Sequence, residues 1–196
     1  MSFLDRFRAR LERLCTEAPS EVLRKSVRYA IARANGRSQL RTCTRVGKKP
    51  RVAGRPQISN RGSIFIGDAP IVESVLGATV LDSGPAGILT LGDRVFVNFG
   101  TVISAQTSVV IGNDVAIGPY SRISDTVASG GGPQPIAIGC DCWLGAHVTI
   151  LPGTSIGNGV TIAAGSVVSG VIPDGAVAGG APARILSLPA AGGSAH

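Results

Sequence analysis

Few side chains in this 196-residue chain are equipped for proton transfer or nucleophilic attack. There are two histidines. His196 is the last residue, and His147 stands in Leu144-Gly-Ala-His-Val-Thr. A carboxylate, Asp125, stands in Ile123-Ser-Asp, and a phenol, Tyr120, in Ile117-Gly-Pro-Tyr. Either Asp125 or His147 could take a proton from an attacking hydroxyl or amine, a service worth about 10²–10⁴ in rate. Ser129 has no His–Asp pair at a spacing that would make it a nucleophile. The four cysteines (Cys15, Cys43, Cys140, Cys142) are scattered, apart from one Cys-Asp-Cys. That is neither a disulfide framework nor a zinc site, which needs a second ligand pair. One usable histidine is also too few for a multi-histidine zinc centre, so no metal is expected.

What must position these groups is a repeat. From Ile138 the chain reads in sixes: Ile138, Leu144, Ile150, Ile156, Ile162, Val168. The fifth residue of each hexad is small or β-branched: Cys142, Val148, Thr154, Val160, Ser166. Neither a helix nor a lone strand has a period of six. A chain that turns a corner every six residues has, and three short strands then close a triangular coil of 18. Stacked coils bury the sixth-residue aliphatics in a column, as solenoids do. In this frame Cys142 points inward and Cys140 outward. The composition agrees: 44% apolar residues but only 4% aromatic, as a narrow interior requires.

The period predicts more than a fold. Val46, Val52, Ile58 and Ile64 are six apart, residues 67–90 are irregular, and the phase resumes at Leu91, Val97 and Ile103. Val109-Val110 is read as a two-residue insertion at a corner. Ile111-Gly-Asn-Asp-Val-Ala and Ile138-Gly-Cys-Asp-Cys-Trp are the same unit, 27 residues apart. Nine residues are therefore surplus to one coil, and Ser129–Ala137 is expected to leave the prism as an excursion. Gly100, Tyr120, His147 and Gly165 should then stack in one column, with Asp125 at the mouth of the excursion.

Charge divides the chain. Residues 1–51 carry 14 Lys/Arg against 4 Asp/Glu, and residues 52–196 carry 5 against 8. Apolar spacing over 2–15 (Phe3, Leu4, Phe7, Leu11, Leu14) and over 20–34 (Val22, Leu23, Val27, Ala30, Ile31) predicts two amphipathic helices, the second ended by Asn35-Gly36. Residues 36–51 read as a basic connector. The segment suits a solvated helical cap over the solenoid's open end, an anionic membrane or lipid-linked phosphate surface, or an acidic acyl carrier. Aromatic residues for base stacking are absent, which argues against nucleic acid. No apolar run approaches the ~20 residues of a membrane span, and the N-terminus lacks the apolar core of a secretory signal. The expected layout is a basic helical segment over 1–45, a solenoid over 46–188 and a disordered tail over 189–196. A reducing cytoplasm, with a possible peripheral position at the inner membrane face, is the expected location.

Five motifs carry a resemblance: Ile117-Gly-Pro, Trp143-Leu-Gly-Ala, Ile150-Leu-Pro-Gly, Ala163-Ala-Gly-Ser-Val-Val and Gly180-Ala-Pro-Ala-Arg-Ile. Over residues 46–188 the chain resembles the hexapeptide-repeat acyltransferases. Within them it is most similar to the maltose, galactoside and surface-polysaccharide O-acetyltransferases. The resemblance implies an all-β solenoid, a left-handed parallel β-helix, carrying the N-terminal pair of basic helices. It also implies a homotrimer with acetyl-CoA or another acyl-CoA in the groove between prisms, and a sugar or lipid-linked sugar as acceptor. By position it assigns Trp143, Ala146, Ala164, Ser169 and Arg184 to the coenzyme. Small residues let the pantetheine arm lie close, Trp offers a flat wall, and Arg suits a phosphate. Asn98 falls where the family places an acceptor-contacting Asn, though it could equally turn a corner in the left-handed conformation. Tyr120 and Ser129 would line the acceptor side.

The chain departs from the family at one point. A general-base His is expected just after Ile-Ser-Asp, and Ala128 and Ser129 stand there instead. Asp125 or His147 must then serve, or the protein is a catalytically inert assembly or binding subunit.

Overall fold

The structure, a computed structural model, describes residues 36–126, 130 and 132–189. The two amphipathic helices expected over 2–34, positions 128 and 129, and most of the expected tail lie outside the described residues.

The hexad period becomes a triangular prism. Among the described residues three parallel sheets form its faces. The first has seven strands, from Arg45–Val46 to Val171–Ile172. The second has eight, from Arg51–Gly54 to Ala183–Ser187, and the third six, from Gln57–Asn60 to Val167–Val168. Each strand pairs with strands one coil away, so the backbone bonds run along the prism axis. The architecture is an all-β solenoid of the left-handed β-helix type. The last strand, Ala183–Ser187, folds back antiparallel on Val177–Gly180.

The core is the predicted column. Ile103, Ile123, Ile150 and Val168 lie in register and buried in the third sheet; Val97, Ile117, Leu144 and Ile162 do so in the second. The fifth-position residues Cys142, Val148, Thr154, Val160 and Ser166 are buried at the corners. Removing one such aliphatic, for instance Leu144→Ala, costs about 2–5 kcal/mol.

The strand registers match the period. Ile111 pairs with Ile138, and Ile138 with Ile156, steps of 27 and 18 residues. The excursion sits earlier than expected. Ile136–Ile138 is already strand, with Ile136 buried beside Val109, and the Gln134 N–H donates to the Asp125 carbonyl at 2.8 Å. The chain therefore leaves after Asp125 and has returned by Gln134. Val109-Val110 is not a corner insertion either. Both lie within the strand Ser108–Ile111, Val109 inward and Val110 outward, because that side of the prism is two residues longer. The irregular stretch 67–90 is part of the solenoid, as the expected 46–188 span has it. It supplies strands Ile71–Ser74, Val80–Ser83 and Ile88–Leu91, with its Gly and Pro in enlarged corners. At the base, residues 36–39 continue as helix past the expected stop at Gly36, and the fully buried Leu40 plugs the core.

One corner is held by a ladder of side chains. The carboxylate of Asp68 accepts from Lys48 N–H, Asp93 from Asp68, Asn113 from Asp93, Asn158 from Cys140, and Asp174 from Asn158. These distances are 2.6–2.8 Å. The middle rung alone is sulfur: Asn113 N–H points at Cys140 Sγ, 3.3 Å away. Sulfur is a weak acceptor. Cys140→Asn should therefore stabilise the protein by about 0.5–1 kcal/mol, and Cys140→Ala should be neutral or mildly destabilising, as read by urea denaturation.

Candidate active site

The corner between the second and third sheets is where the chemistry-bearing residues gather. Register sets them in rows: Asn98, Gly118, Gly145 and Ala163 one coil apart, and two residues on, Gly100, Tyr120, His147 and Gly165. The last four all have positive φ, 68°, 55°, 55° and 72°. Each turns the chain from one face to the next, and the left-handed region does this in a single residue. Backbone bonds tie the row together, from Tyr120 N–H to Phe99 O at 3.0 Å, His147 N–H to Pro119 O at 2.9 Å and Gly165 N–H to Ala146 O at 2.8 Å.

The rings of Tyr120 and His147 stack, with centroids 5.3 Å apart and planes 19° from parallel. Phe99 meets Tyr120 edge-on, at 5.3 Å and 83°. Both neighbouring glycines matter to this pile. A Cβ on Gly100 would fall 2.4 Å from the Tyr120 ring, so only glycine lets the tyrosine lie down there. At Gly165 a Cβ would meet nothing within 4 Å. The level above His147 is therefore open, and the imidazole is solvent-exposed at a vacant step of the column. Phe99 and Gly77, which lies 3.4 Å from Tyr120 as a would-be Cβ, are parts of this corner that the hexad reading did not single out. Phe99 sits directly before the corner glycine in Val97-Asn-Phe-Gly, and that adjacency was the available signal.

Asp125 is placed differently. It is fully buried, and its side chain points into the prism. Oδ1 accepts from Gln106 N–H at 2.8 Å; Oδ2 accepts from Gln106, Thr107 and Ser108 N–H at 3.0, 2.7 and 3.0 Å. The carboxylate thus anchors the corner of the coil below. With its oxygens engaged and no surface exposed, it presents no lone pair to an acceptor. Asn98 does not adopt positive φ. Its Oδ1 accepts from Phe99 N–H at 2.9 Å, and it is half-buried one row from the tyrosine column.

Of the residues expected to hold a coenzyme, four fall on one side. Trp143, 42% exposed, projects from the second sheet. Ala146 and Ala164 stack at the adjoining corner, and the exposed Arg184 lies on the last strand of that same sheet. The small Ala side chains leave the edge shallow beside the flat indole, which fits an extended arm. Ser169 is exposed just beyond Val167–Val168, at the far end of the third sheet from that edge. Ser129 lies outside the described residues. Burial pushes the Cys142 thiol up to about 11, with the Cys140 and Asp141 charges adding to it and backbone hydrogen bonds opposing it. Burial does the same to Cys43. Both sulfurs are packing atoms and not nucleophiles.

Residues 135–170 match the family described as bacterial transferase hexapeptide (six repeats). The putative lipopolysaccharide biosynthesis O-acetyl transferase WbbJ of Escherichia coli (strain K12) is 37% identical over 147 residues, 66% of this chain and 74% of WbbJ. The chain belongs to the hexapeptide-repeat acyltransferases. It is an acetyltransferase, similar to enzymes named for lipopolysaccharide biosynthesis and for galactosides. The galactoside O-acetyltransferase of Escherichia coli (strain K12) is 36% identical over 109 residues, 49% of this chain and 52% of that enzyme. The chain thus spans about half the length of that relative. Among solved structures, the hexapeptide-repeat acetyltransferase VCA0836 of Vibrio cholerae, complexed with acetyl coenzyme A, aligns with a TM-score of 0.53 and 23% identity. It covers 87% of this chain and 90% of its own.

The role of Asp125 can be separated from catalysis. Asp125→Ala leaves three backbone N–H groups without their acceptor and should lower stability by about 2–4 kcal/mol. By differential scanning calorimetry that is a fall of roughly 5–15 °C in melting temperature. Activity of the surviving folded fraction should stay near wild type when assayed well below the new midpoint.

Proposed function

We propose that this protein transfers an acetyl group from acetyl-CoA to a hydroxyl or amine of a sugar, with His147 as the general base. The observation that carries the reading is the exposed His147 imidazole, stacked on Tyr120 beneath the open step at Gly165. Relatives named as O-acetyltransferases of lipopolysaccharide biosynthesis and of galactosides support the acceptor class.

Trp143, Ala146 and Ala164 hold the pantetheine arm along the second-to-third sheet corner, and Arg184 meets a phosphate of the nucleotide end. The coenzyme supplies the activated acetyl thioester. The acceptor lies in the open step above His147, with Tyr120 under the imidazole and Asn98 lower on the same corner. An imidazole nitrogen of His147 takes the hydroxyl proton as the oxygen attacks the thioester carbonyl. The C–S bond then breaks, and the same proton passes to the leaving sulfur, so the imidazole ends as it began. Tyr120 fixes the ring plane and so the direction of proton transfer. The assembly is a homotrimer, in which a neighbouring prism completes the coenzyme groove.

A second reading follows from Ala128 and Ser129, which stand where the family's base is expected. An inert assembly or binding subunit would bind acetyl-CoA and release no thiol with any acceptor.

His147→Asn separates the two. Asn tolerates the positive φ at this corner, so the fold should survive. Loss of the base should lower kcat by about 10²–10⁴, some 3–5 kcal/mol of barrier, with little change in KM for acetyl-CoA. Thiol release with Ellman's reagent measures it. A wild-type rate in His147→Asn would reject this base, and no release from the wild type with a panel of sugars would favour the inert subunit.

A further inference from the structure

Charge is segregated along the prism axis. Residues 36–67, which run from the basal helix end through the first coil into the first strand of the second, hold eight Lys/Arg and no Asp or Glu. Residues 68–189 hold three against eight. Arg37, Arg41, Arg45, Lys48, Lys49, Arg55 and Arg61 are exposed. Among the described residues, only Arg61 of these seven has an ion-pair partner, Asp82 at 3.7 Å. Arg37, Lys48 and Lys49 also line a cleft of about 350 Å³ with Pro50.

The distribution is as informative as the count. Arg45 lies on the first face, Lys48 and Lys49 at the turn into the second, and Arg55 at the turn into the third. The cations therefore ring the whole triangular end and do not form a line along one groove. A flat anionic surface meets such a ring all round, whereas an acidic helix would meet one side. Phe65 is the sole aromatic in this stretch and is half-buried, so nothing offers a platform for nucleic-acid bases.

The height of the candidate site above this rim follows from the sheet. Four strand steps separate Arg51–Gly54 from Trp143–Leu144 in the second sheet. At about 4.8 Å per step, that is roughly 19 Å. A cyclic trimer with parallel prisms would set all three rims on the same side and so add their attractions.

We propose that the basic rim docks on the anionic inner face of a membrane. The His147 corner then stands about 20 Å above the lipid surface, over an acceptor sugar carried on a lipid anchor. The docking depends only on charge, while the acceptor rests on the acetyltransferase reading above.

Co-sedimentation of the full chain with vesicles tests it. The expected result is binding to phosphatidylglycerol/phosphatidylethanolamine vesicles at low salt, lost on pure phosphatidylcholine and lost at high salt. Each rim cation contributes roughly fivefold to such binding. The quadruple variant R41E/K48E/K49E/R55E should therefore bind at least about a hundredfold more weakly, with an unchanged melting temperature. Thiol release with a soluble acceptor should also be unchanged in that variant. Failure to bind anionic vesicles, equal binding to phosphatidylcholine, or full binding by the quadruple variant would each overturn the proposal. So would displacement from vesicles by a stoichiometric acidic carrier protein or duplex DNA. A chain that binds vesicles but releases no thiol would sink the acetyltransferase reading and leave the docking intact.

Discussion

Everything in this molecule depends on turning three corners per coil without stranding a backbone N–H or carbonyl. In the flat stretches the parallel ladder satisfies both groups from the coils on either side. At a corner the ladder is interrupted, and the chain must reverse into a new face within one or two residues. Two devices recur. One is a residue at positive φ, as at Asp114, Tyr120, Asp141, His147 and Gly165. The other is a side-chain oxygen that reaches one coil down to a loose N–H, as Asn113 does for Asp93. A buried N–H left unmet would cost about 1–3 kcal/mol, and a solenoid of this length has many such places.

That constraint separates the two residues that sequence alone leaves as rivals for the base. Asp125 continues the alternation of its strand, so it faces inward like Ile123. It falls in register with Asn60, Ser83 and Ala105, an inward row at the third corner. Asn60 and Ser83 bond each other there at 2.9 Å, and Asp125 binds three backbone N–H groups. The same backbone requirement leaves His147 free, because its corner is closed by its own main chain. Its N–H is satisfied by Pro119 O, so the imidazole has no structural duty beyond packing on Tyr120.

Most of the fold and part of the site were legible in the sequence. Six-residue spacing from Ile138 to Val168 fixed the phase, and comparison of the Ile111 and Ile138 units fixed the surplus at nine. The surplus of nine brings His147 over Tyr120, and the two extra residues at Val109-Val110 bring Tyr120 over Gly100. The misplacements have a common physical origin. The hexad is a rule for the shortest coil, whereas the third-to-first sheet corner carries longer strands, with inward residues at both Ile103 and Ala105, and Val109 and Ile111. There the period of two operates inside the period of six, so Val109 and Ile136 read as irregular while packing as core. The inward direction of Asp125 was recoverable by counting two from Ile123. The Phe99 edge contact was not, because ring orientation is decided by the space above Gly100 and not by spacing.

Positive φ by itself does not mark the candidate site. Lys49, Ala69, Arg94, Asp114 and Asp141 adopt it at the first-to-second sheet corner, more non-glycine residues than at the corner of Tyr120 and His147. At the former corner such residues sit beside the side-chain ladder, and Arg94 is tied to Asp114. Their conformation is part of a closed structural circuit. At the second-to-third corner the row changes from glycine to ring to ring to glycine, and each change alters what lies outside the prism. Gly100 gives the tyrosine a floor, Tyr120 gives the imidazole a floor, and Gly165 supplies no side chain to cover it. A His held on one face and open on the other is fixed in plane yet accessible, which is the arrangement that proton transfer from an incoming acceptor demands. A glycine or asparagine would turn this corner with less strain. The needs of the coil alone therefore do not call for His147, and the proposed role as base supplies a reason for it.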